Sequence, residues 1–484
     1  MSRVDIPEWI PLGGVVAGEP LSNVGERLVI DPFSGDILAR VGLGDATAVN
    51  RAVAVAREAL AAGPPSAAER ARILDRASAL VAGRAETMAR ILSAEAGKPI
   101  RQARGEVSRC VDTLAFSAAV ARTFVGEVIP MDAADSGRGL LGFTVHEPVG
   151  VIAAITPFNF PLNLVAHKLG PAVAAGCPVV MKPAGRTPLS GLALAAILWE
   201  AGLPPGMLSV IVGDGDVGEP LVAHEDVAMV SFTGSSDVGW AIRETRPRIR
   251  VALELGNATP VIVHDDADVA LAAERIAASA FTHAGQSCIS VQRILVHREV
   301  HDAFVDEFLP RVRALVVGDP LDEATDVGPV IDEASARRIL EWTLEATEAG
   351  ARVLTGGERV GGPTMLAPTV LDGAAPFTRV MRDEVFGPLV AIAVYDRIED
   401  AIAMANASPL GLQAGIFTAR VDRALAWARD LDYGGVVINE TPTVRADQMP
   451  YGGVRGSGEA REGPAAAVRE MTRPKLVVVR IPTQ

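Results

Sequence analysis

A chain of 484 residues exceeds one hydrophobic core, so two or three domains are expected. With 49% hydrophobic and 21% charged residues it has a globular, core-forming composition, and a formal net charge of -14 without a basic stripe excludes a nucleic-acid surface. The three cysteines, Cys110, Cys177 and Cys288, stand at no metal-ligand or redox spacing, which excludes a zinc cluster or disulfide framework and points to the cytoplasm.

The start, Met1-Ser-Arg-Val-Asp-Ile-Pro, lacks the charged head and apolar core of a signal peptide. No membrane span is expected either, because the most apolar region, 149–181, is broken by Pro157, Asn159, Pro161, Asn163, His167, Lys168 and Pro171. The first 125 residues open with short strand-like pieces and then turn helical. Ser66-Ala-Ala-Glu69 is a capping box ahead of an apolar-periodic run: the serine takes an orphan amide and the glutamate reaches back. Two or three helices are predicted from there to about residue 124, with a stop at Gly97-Lys98-Pro99 and Arg109 and Cys110 inside the last one.

From 140 to 255, strand-length apolar runs at 151–155, 178–181, 208–212, 228–232 and 251–255 alternate with helix-like segments such as 162–175 and 188–201. Such alternation predicts a parallel sheet covered on both faces, a common housing for a nucleotide. A second alternating block runs from 261 to about 438, with strands near 290–297 and 389–394. The tail 475–481 reads as a lone strand that must find its partner in another domain or subunit. Gly213-Asp-Gly215-Asp-Val-Gly218 matches a dinucleotide fingerprint, but Asp214 and Asp216 would face a pyrophosphate, so a plain strand-to-helix turn is preferred.

Polar residues set into apolar runs carry the candidate chemistry. Cys288 lies in the turn Gly285-Gln-Ser-Cys288 before a strand, where an accessible thiol suits a nucleophile, although a spare structural cysteine explains it as well. Thr156-Pro157-Phe158-Asn159-Phe-Pro161 holds an asparagine amide between prolines, fit either to donate to an oxyanion or to make a turn. Lys182 ends a strand, where ligands bind in open sheets. Phe232-Thr233-Gly234-Ser235 ends the next strand and opens a helix whose amides suit a phosphate, or a simple cap. Glu254 sits in an apolar strand, where desolvation raises its pKa and suits it to act as a base. Glu384-Val-Phe386-Gly-Pro388 adds a carboxylate beside an aromatic ring.

These motifs, with Lys182-Pro-Ala and Pro450-Tyr-Gly-Gly453, in this order and spacing, resemble the aldehyde dehydrogenase superfamily over nearly the whole chain. The resemblance implies an α/β fold of two doubly wound parallel-sheet domains plus a β oligomerisation arm. Expected boundaries are 1–125 and 148–255 for a discontinuous dinucleotide-binding domain, 256–454 for a catalytic domain, and 126–147 with 455–484 for the arm of a dimer or tetramer. It also implies that Cys288 attacks an aldehyde carbon, that the Asn159 amide holds the alkoxide, and that Glu254 activates water against the thioester. NAD or NADP is the implied cofactor, and no metal. Lys182 and Glu384 would hold its riboses and Phe386 would pack near the nicotinamide. Thr156, Pro157, Gly185, Gly215, Phe232, Thr233, Gly234, Ser235, Val238 and Leu255 would line its path. Members that keep a carboxylate at Glu254 release a free acid instead of passing the acyl group to coenzyme A.

Departures from the family pattern bear on specificity. Gly185 stands where NAD-preferring members often carry a glutamate, and Arg186 follows it, so NADP use is open. His167, Asn257 and the loop 443–451 resemble the branch acting on small polar or anionic aldehydes such as lactaldehyde and glycolaldehyde. Phe158, His167 and Ser287 are expected at the substrate, with Arg109 and Arg445 as anion clamps. Ser287 replaces the arginine that phosphate-binding members often place before the nucleophile, which favours a short hydroxylated or carboxylated aldehyde. A phosphonate-, phosphate- or sulfonate-bearing aldehyde, or broad-specificity oxidation with esterase activity, is the alternative.

Overall fold

The computed structural model describes residues 3–482. Strands β1 (Gly25–Ile30) and β2 (Ile37–Leu43) form an antiparallel hairpin. Helix α1 (Ala46–Ala62), which the sequence reading does not separate, starts at Asp45, whose carboxylate accepts the Ala48 amide. Helix α2 (Ala67–Gly83) begins at the expected capping box, Ser66 and Glu69 each accepting the other's amide. Helix α3 (Ala85–Ala96) stops at Gly97, whose φ of 69° is left-handed; a Cβ there would also press on Pro329 and Pro32. Helix α4 (Ile100–Thr123) makes three helices after residue 66, the upper number expected.

After β3 (Leu140–Pro148) the chain alternates through β4 (Val151–Ile155), α5 (Asn163–Ala175), β5 (Val179–Lys182), α6 (Pro188–Glu200), β6 (Leu208–Val210), α7 (Gly215–Ala223), β7 (Val227–Thr233), α8 (Ser236–Thr245) and β8 (Arg250–Glu254). The sheet order β8-β7-β4-β5-β6 is parallel throughout, with two short antiparallel strands added beside β6. Building runs outward from β4 to β6 and then resumes on the other side with β7, so the strand order reverses between β4 and β7. A crevice opens at the carboxyl ends of strands flanking such a reversal.

The second block places β9 (Pro260–Val263), α9 (Val269–Ala280), β10 (Arg293–His297), α10 (His301–Arg313), α11 (Glu333–Glu348), β11 (Thr369–Asp372), β12 (Leu389–Tyr395), β13 (Gln413–Phe417) and β14 (Gly435–Ile438) around its own core. Its parallel order is β11-β12-β10-β9-β13-β14, with an antiparallel edge strand beyond β11. Helix α12 (Pro464–Glu470) packs on α4 and α5. The tail strand β15 (Thr472–Arg480) pairs along its length with β3 of the same chain. Leu141 and Val145 lie exposed on one face of this pair, and Leu476 and Val478 on the other. No helix among the described residues is long and apolar enough to cross a membrane.

Candidate active site

Register aligns the first sheet's functional edge: Ile155 lies opposite both Lys182 and Phe232, and Thr233 opposite Glu254. The carboxyl ends of β4, β5, β7 and β8 thus present Thr156, Lys182, Thr233 and Glu254 to one cleft of about 1720 Å³ between the two sheet domains. Pro157, Gly185, Gly215, Phe232, Gly234, Ser235, Val238, Leu255, Glu384 and Phe386 complete its wall, together with Phe158, Asn159 and Cys288. The buried hydroxyls of Thr156 and Thr233 have no protein partner. Side chains at Gly234 and Gly185 would run into the Phe232 ring and the Arg27 guanidinium, so bare backbone keeps the floor open. Unpartnered hydroxyls over a glycine floor fit a dinucleotide, which needs close backbone approach and donors for its phosphates and riboses. Lys182 Nζ meanwhile donates to the Gly213 carbonyl at 3.0 Å, and burial lowers its pKa. Glu384 accepts the Asn257 amide at 3.0 Å, and burial raises its pKa to about 7. Phe386, at a φ of 50°, stands edge-on to Phe158 with ring centres 5.7 Å apart.

The turn ahead of Cys288 is strained: His283, Ala284 and Gly285 take φ values of 49°, 53° and 70° in succession. A Cβ at Gly285 would overlap the Gly387 carbonyl, so the nucleophile turn and the Glu384–Phe386 loop interlock. Buried Gln286 is the pin, donating to the His283 carbonyl at 3.1 Å and accepting the Ile331 amide at 2.8 Å. Asn159 Nδ2 donates to the Gln286 carbonyl at 3.0 Å, which fixes the amide beside Cys288 and leaves its second N–H for an oxyanion. Beneath it, fully buried Lys98 pairs with Glu106 and donates to the Asn159 carbonyl at 2.8 Å. Glu106 in turn accepts the Leu162 and Asn163 amides at the start of α5.

Glu254 is 4% exposed and neither of its carboxyl oxygens has a partner. Burial, and then repulsion from Glu462, lift its pKa well above the usual carboxylate range. Burial would raise Glu462 too, but Arg445, His167 and Lys168 outweigh it and hold that carboxyl at about 2. A cavity of about 20 Å³, room for one water, lies among Glu254, Lys168, Ser231 and Glu462.

The residues expected at the substrate behave differently from those expected at the cofactor. Phe158 lines the cleft; Arg109, His167, Ser287 and Arg445 do not. Arg109 is no free clamp: it pairs with Asp447 at 2.9 Å, and the same carboxylate meets Asn163 Nδ2 and His167 Nε2 at 3.0 Å each. Arg445 is no clamp either, because it is buried in an ion pair with Glu462 and lies 3.9 Å over the Tyr451 ring. Ser287 hydrogen-bonds the Ile289 amide at 3.4 Å. Asn257 ties Thr259, Gln413 and Leu412 together, a structural role. Arg186 pairs with Asp332 at the surface, while Arg27 grips Asp214 over Gly185.

Sequence reading missed Lys98, Glu106, Gln286, Arg27, Asp447 and Glu462. Lys98 is visible only as part of a helix stop, and Glu106 only as a charge on the buried face of α4. The backbone groups they hold, at Asn159 and Leu162, lie 61 and 56 residues away, beyond any local pattern.

Residues 22–477 match the profile of the Aldehyde dehydrogenase family. The chain is 45% identical over 470 residues to a 3-sulfolactaldehyde dehydrogenase of Priestia megaterium, covering 97% of this chain and 98% of the relative. A lactaldehyde dehydrogenase of Methanococcus maripaludis is 38% identical over 459 residues, with 93% and 96% covered. Among solved structures, a glyceraldehyde-3-phosphate dehydrogenase of Methanocaldococcus jannaschii complexed with NADP superposes with a TM-score of 0.90 at 37% identity, covering 94% of this chain and all of that one.

Proposed function

This chain belongs to the aldehyde dehydrogenase family and is an aldehyde-oxidising enzyme, and from that premise we propose that it converts a small aldehyde bearing a hydroxyl or anionic group to the free acid through a thioester on Cys288. The observation that carries the reading is the convergence of Cys288, the Asn159 amide and the Glu254 carboxyl on one cleft wall. Cys288 Sγ attacks the aldehyde carbon, forming a C–S bond while the carbonyl oxygen becomes an alkoxide. The spare N–H of Asn159, held by Gln286 and Lys98, donates to that alkoxide. A nicotinamide dinucleotide in the cleft supplies the hydride acceptor. Glu254 takes a proton from the water that attacks the thioester, and the C–S bond breaks to release the acid.

For the cofactor's adenosine end, the Arg27 guanidinium lies over Gly185, paired with Asp214, and is the cation beside which a 2'-phosphate would sit. For the substrate, the likeness to a 3-sulfolactaldehyde dehydrogenase and to a lactaldehyde dehydrogenase supports a short aldehyde carrying a hydroxyl or an anionic group. The exposed β3–β15 sheet is the surface on which two copies would join.

Burial pushes the Cys288 thiol up to about 12 and lifts Glu254 well above the usual carboxylate range, so both gain their reactive forms as pH rises. The expected kcat/KM therefore climbs on the order of tenfold per pH unit below the thiol's midpoint. Initial rates for lactaldehyde, glycolaldehyde, sulfolactaldehyde and unsubstituted aliphatic aldehydes, each with NAD and NADP, test the assignment. Equal or better kcat/KM for the unsubstituted aldehydes would overturn the polar-substrate reading.

A further inference from the structure

Cys288 has a further polar neighbour. The Tyr451 hydroxyl lies 3.0 Å from Cys288 Sγ. Tyr451 is 2% exposed and packs with Ile289 and Leu412 in a small apolar cluster against Cys288 and Met449. The Arg445 guanidinium covers its ring at 3.9 Å and is itself anchored by Glu462, the pair being 7% and 8% exposed. A cation over the face of a phenol withdraws electron density and makes the hydroxyl a better donor. Arg445 Nη2 is thus held by Glu462, and the guanidinium's charge reaches the sulfur through the aromatic ring.

We propose that Tyr451 is a further catalytic residue, donating its hydroxyl proton in a hydrogen bond to the Cys288 thiolate, and that the Glu462–Arg445 pair is the positioning device that polarises this donor. The proposal rests on Cys288 being the nucleophile. The S–H proton leaves to water in the cleft, the phenol keeps its own proton, and the sulfur's negative charge is shared with the O–H dipole. Once the C–S bond forms, the sulfur loses that charge and the hydroxyl is released to face the bound aldehyde's substituents. The charged and titratable groups around the sulfur come from three elements. Glu254 on β8 and Glu384 in the loop before β12 oppose the thiolate, while Arg445 and Tyr451 from the loop after β14 favour it. The hydrogen bond is therefore a counterweight to two carboxyl groups and to burial.

The test is the alkylation rate of Cys288 in the full-length, cofactor-free enzyme by iodoacetamide against pH, with the modified peptide identified by mass spectrometry. In that reaction the thiolate forms an S–C bond and iodide leaves. Cys110 and Cys177 are buried at 0% exposure and do not compete. Tyr451→Phe deletes one oxygen and keeps the ring under Arg445. The expected result is a midpoint raised by about one pH unit, which is about a tenfold loss of thiolate below it, with the melting temperature nearly unchanged. An unchanged midpoint in folded Tyr451→Phe overturns the proposal, and so does a lowered one, which would mean that the phenol accepts from the thiol. If Tyr451→Phe is unstable, Arg445→Lys keeps the partner of Glu462 and loses the flat stack, and the same upward shift, smaller in size, is expected; its absence overturns the Arg445 role. Alkylation that leaves aldehyde oxidation intact is a separate outcome, because it removes Cys288 as nucleophile whatever Tyr451 does.

Discussion

On the side of Cys288 that faces the cleft, glycines and unpartnered hydroxyls leave surface for a ligand; on the other side, nearly every charge is already spent within the chain. Asp447 gathers Arg109, Asn163 and His167, and Glu462 gathers Arg445 and Lys168. An open wall binds through the protein's empty hydrogen-bonding capacity. A closed network sets geometry and charge instead, since a buried ion pair resists change chiefly because losing one member strands the other. Substitutions on the two sides should therefore fail in different ways.

The largest effect is expected at their boundary. Cys288→Ala should lower aldehyde oxidation by at least about 10³-fold while dinucleotide affinity, followed by quenching of intrinsic fluorescence, stays within about twofold. Retained oxidation would erase the boundary itself. Next comes the closed side's foundation: Lys98→Met strands Glu106 at 1–2% exposure and frees the Asn159 carbonyl. A loss of about 3–5 kcal/mol in denaturant unfolding, with kcat falling more than KM changes, is expected. A loss under about 1 kcal/mol would mean that the pair is not a support. The smallest effect belongs to the open side. Arg27→Gln should weaken adenosine 2',5'-bisphosphate binding about fivefold relative to adenosine 5'-monophosphate, as befits a partly exposed charge. An unchanged ratio removes Arg27 from the ribose end.

The same contrast explains what the sequence reveals. Strand alternation gives the parallel sheets because buried strands must be continuously apolar, and the cofactor wall follows because its residues sit at strand ends that register aligns. Thr156, Lys182, Thr233 and Glu254 are legible for that reason. Helix α1 is not separated in the sequence reading although Ala48, Val49, Ala52, Val53 and Ala56 recur at helical spacing and form its buried face. The tail strand is legible as a strand but not as the partner of β3, which lies more than 300 residues earlier. Arg109 and Arg445 look like anion clamps in a one-dimensional reading because a guanidinium's role is decided by its partner, and Asp447 is 338 residues from Arg109. Gly213 to Gly218 is a further case: Asp214 lines the cleft but grips Arg27, so its surroundings, not the motif, set its role.

Glu254→Gln tests hydrolysis of a Cys288 thioester most directly. Mixing that enzyme with lactaldehyde or sulfolactaldehyde and excess dinucleotide should give one burst of reduced dinucleotide per active site and then near silence. Mass spectrometry should find the acyl group as a thioester on the Cys288 peptide. Full steady-state turnover without an adduct on Cys288 would contradict it.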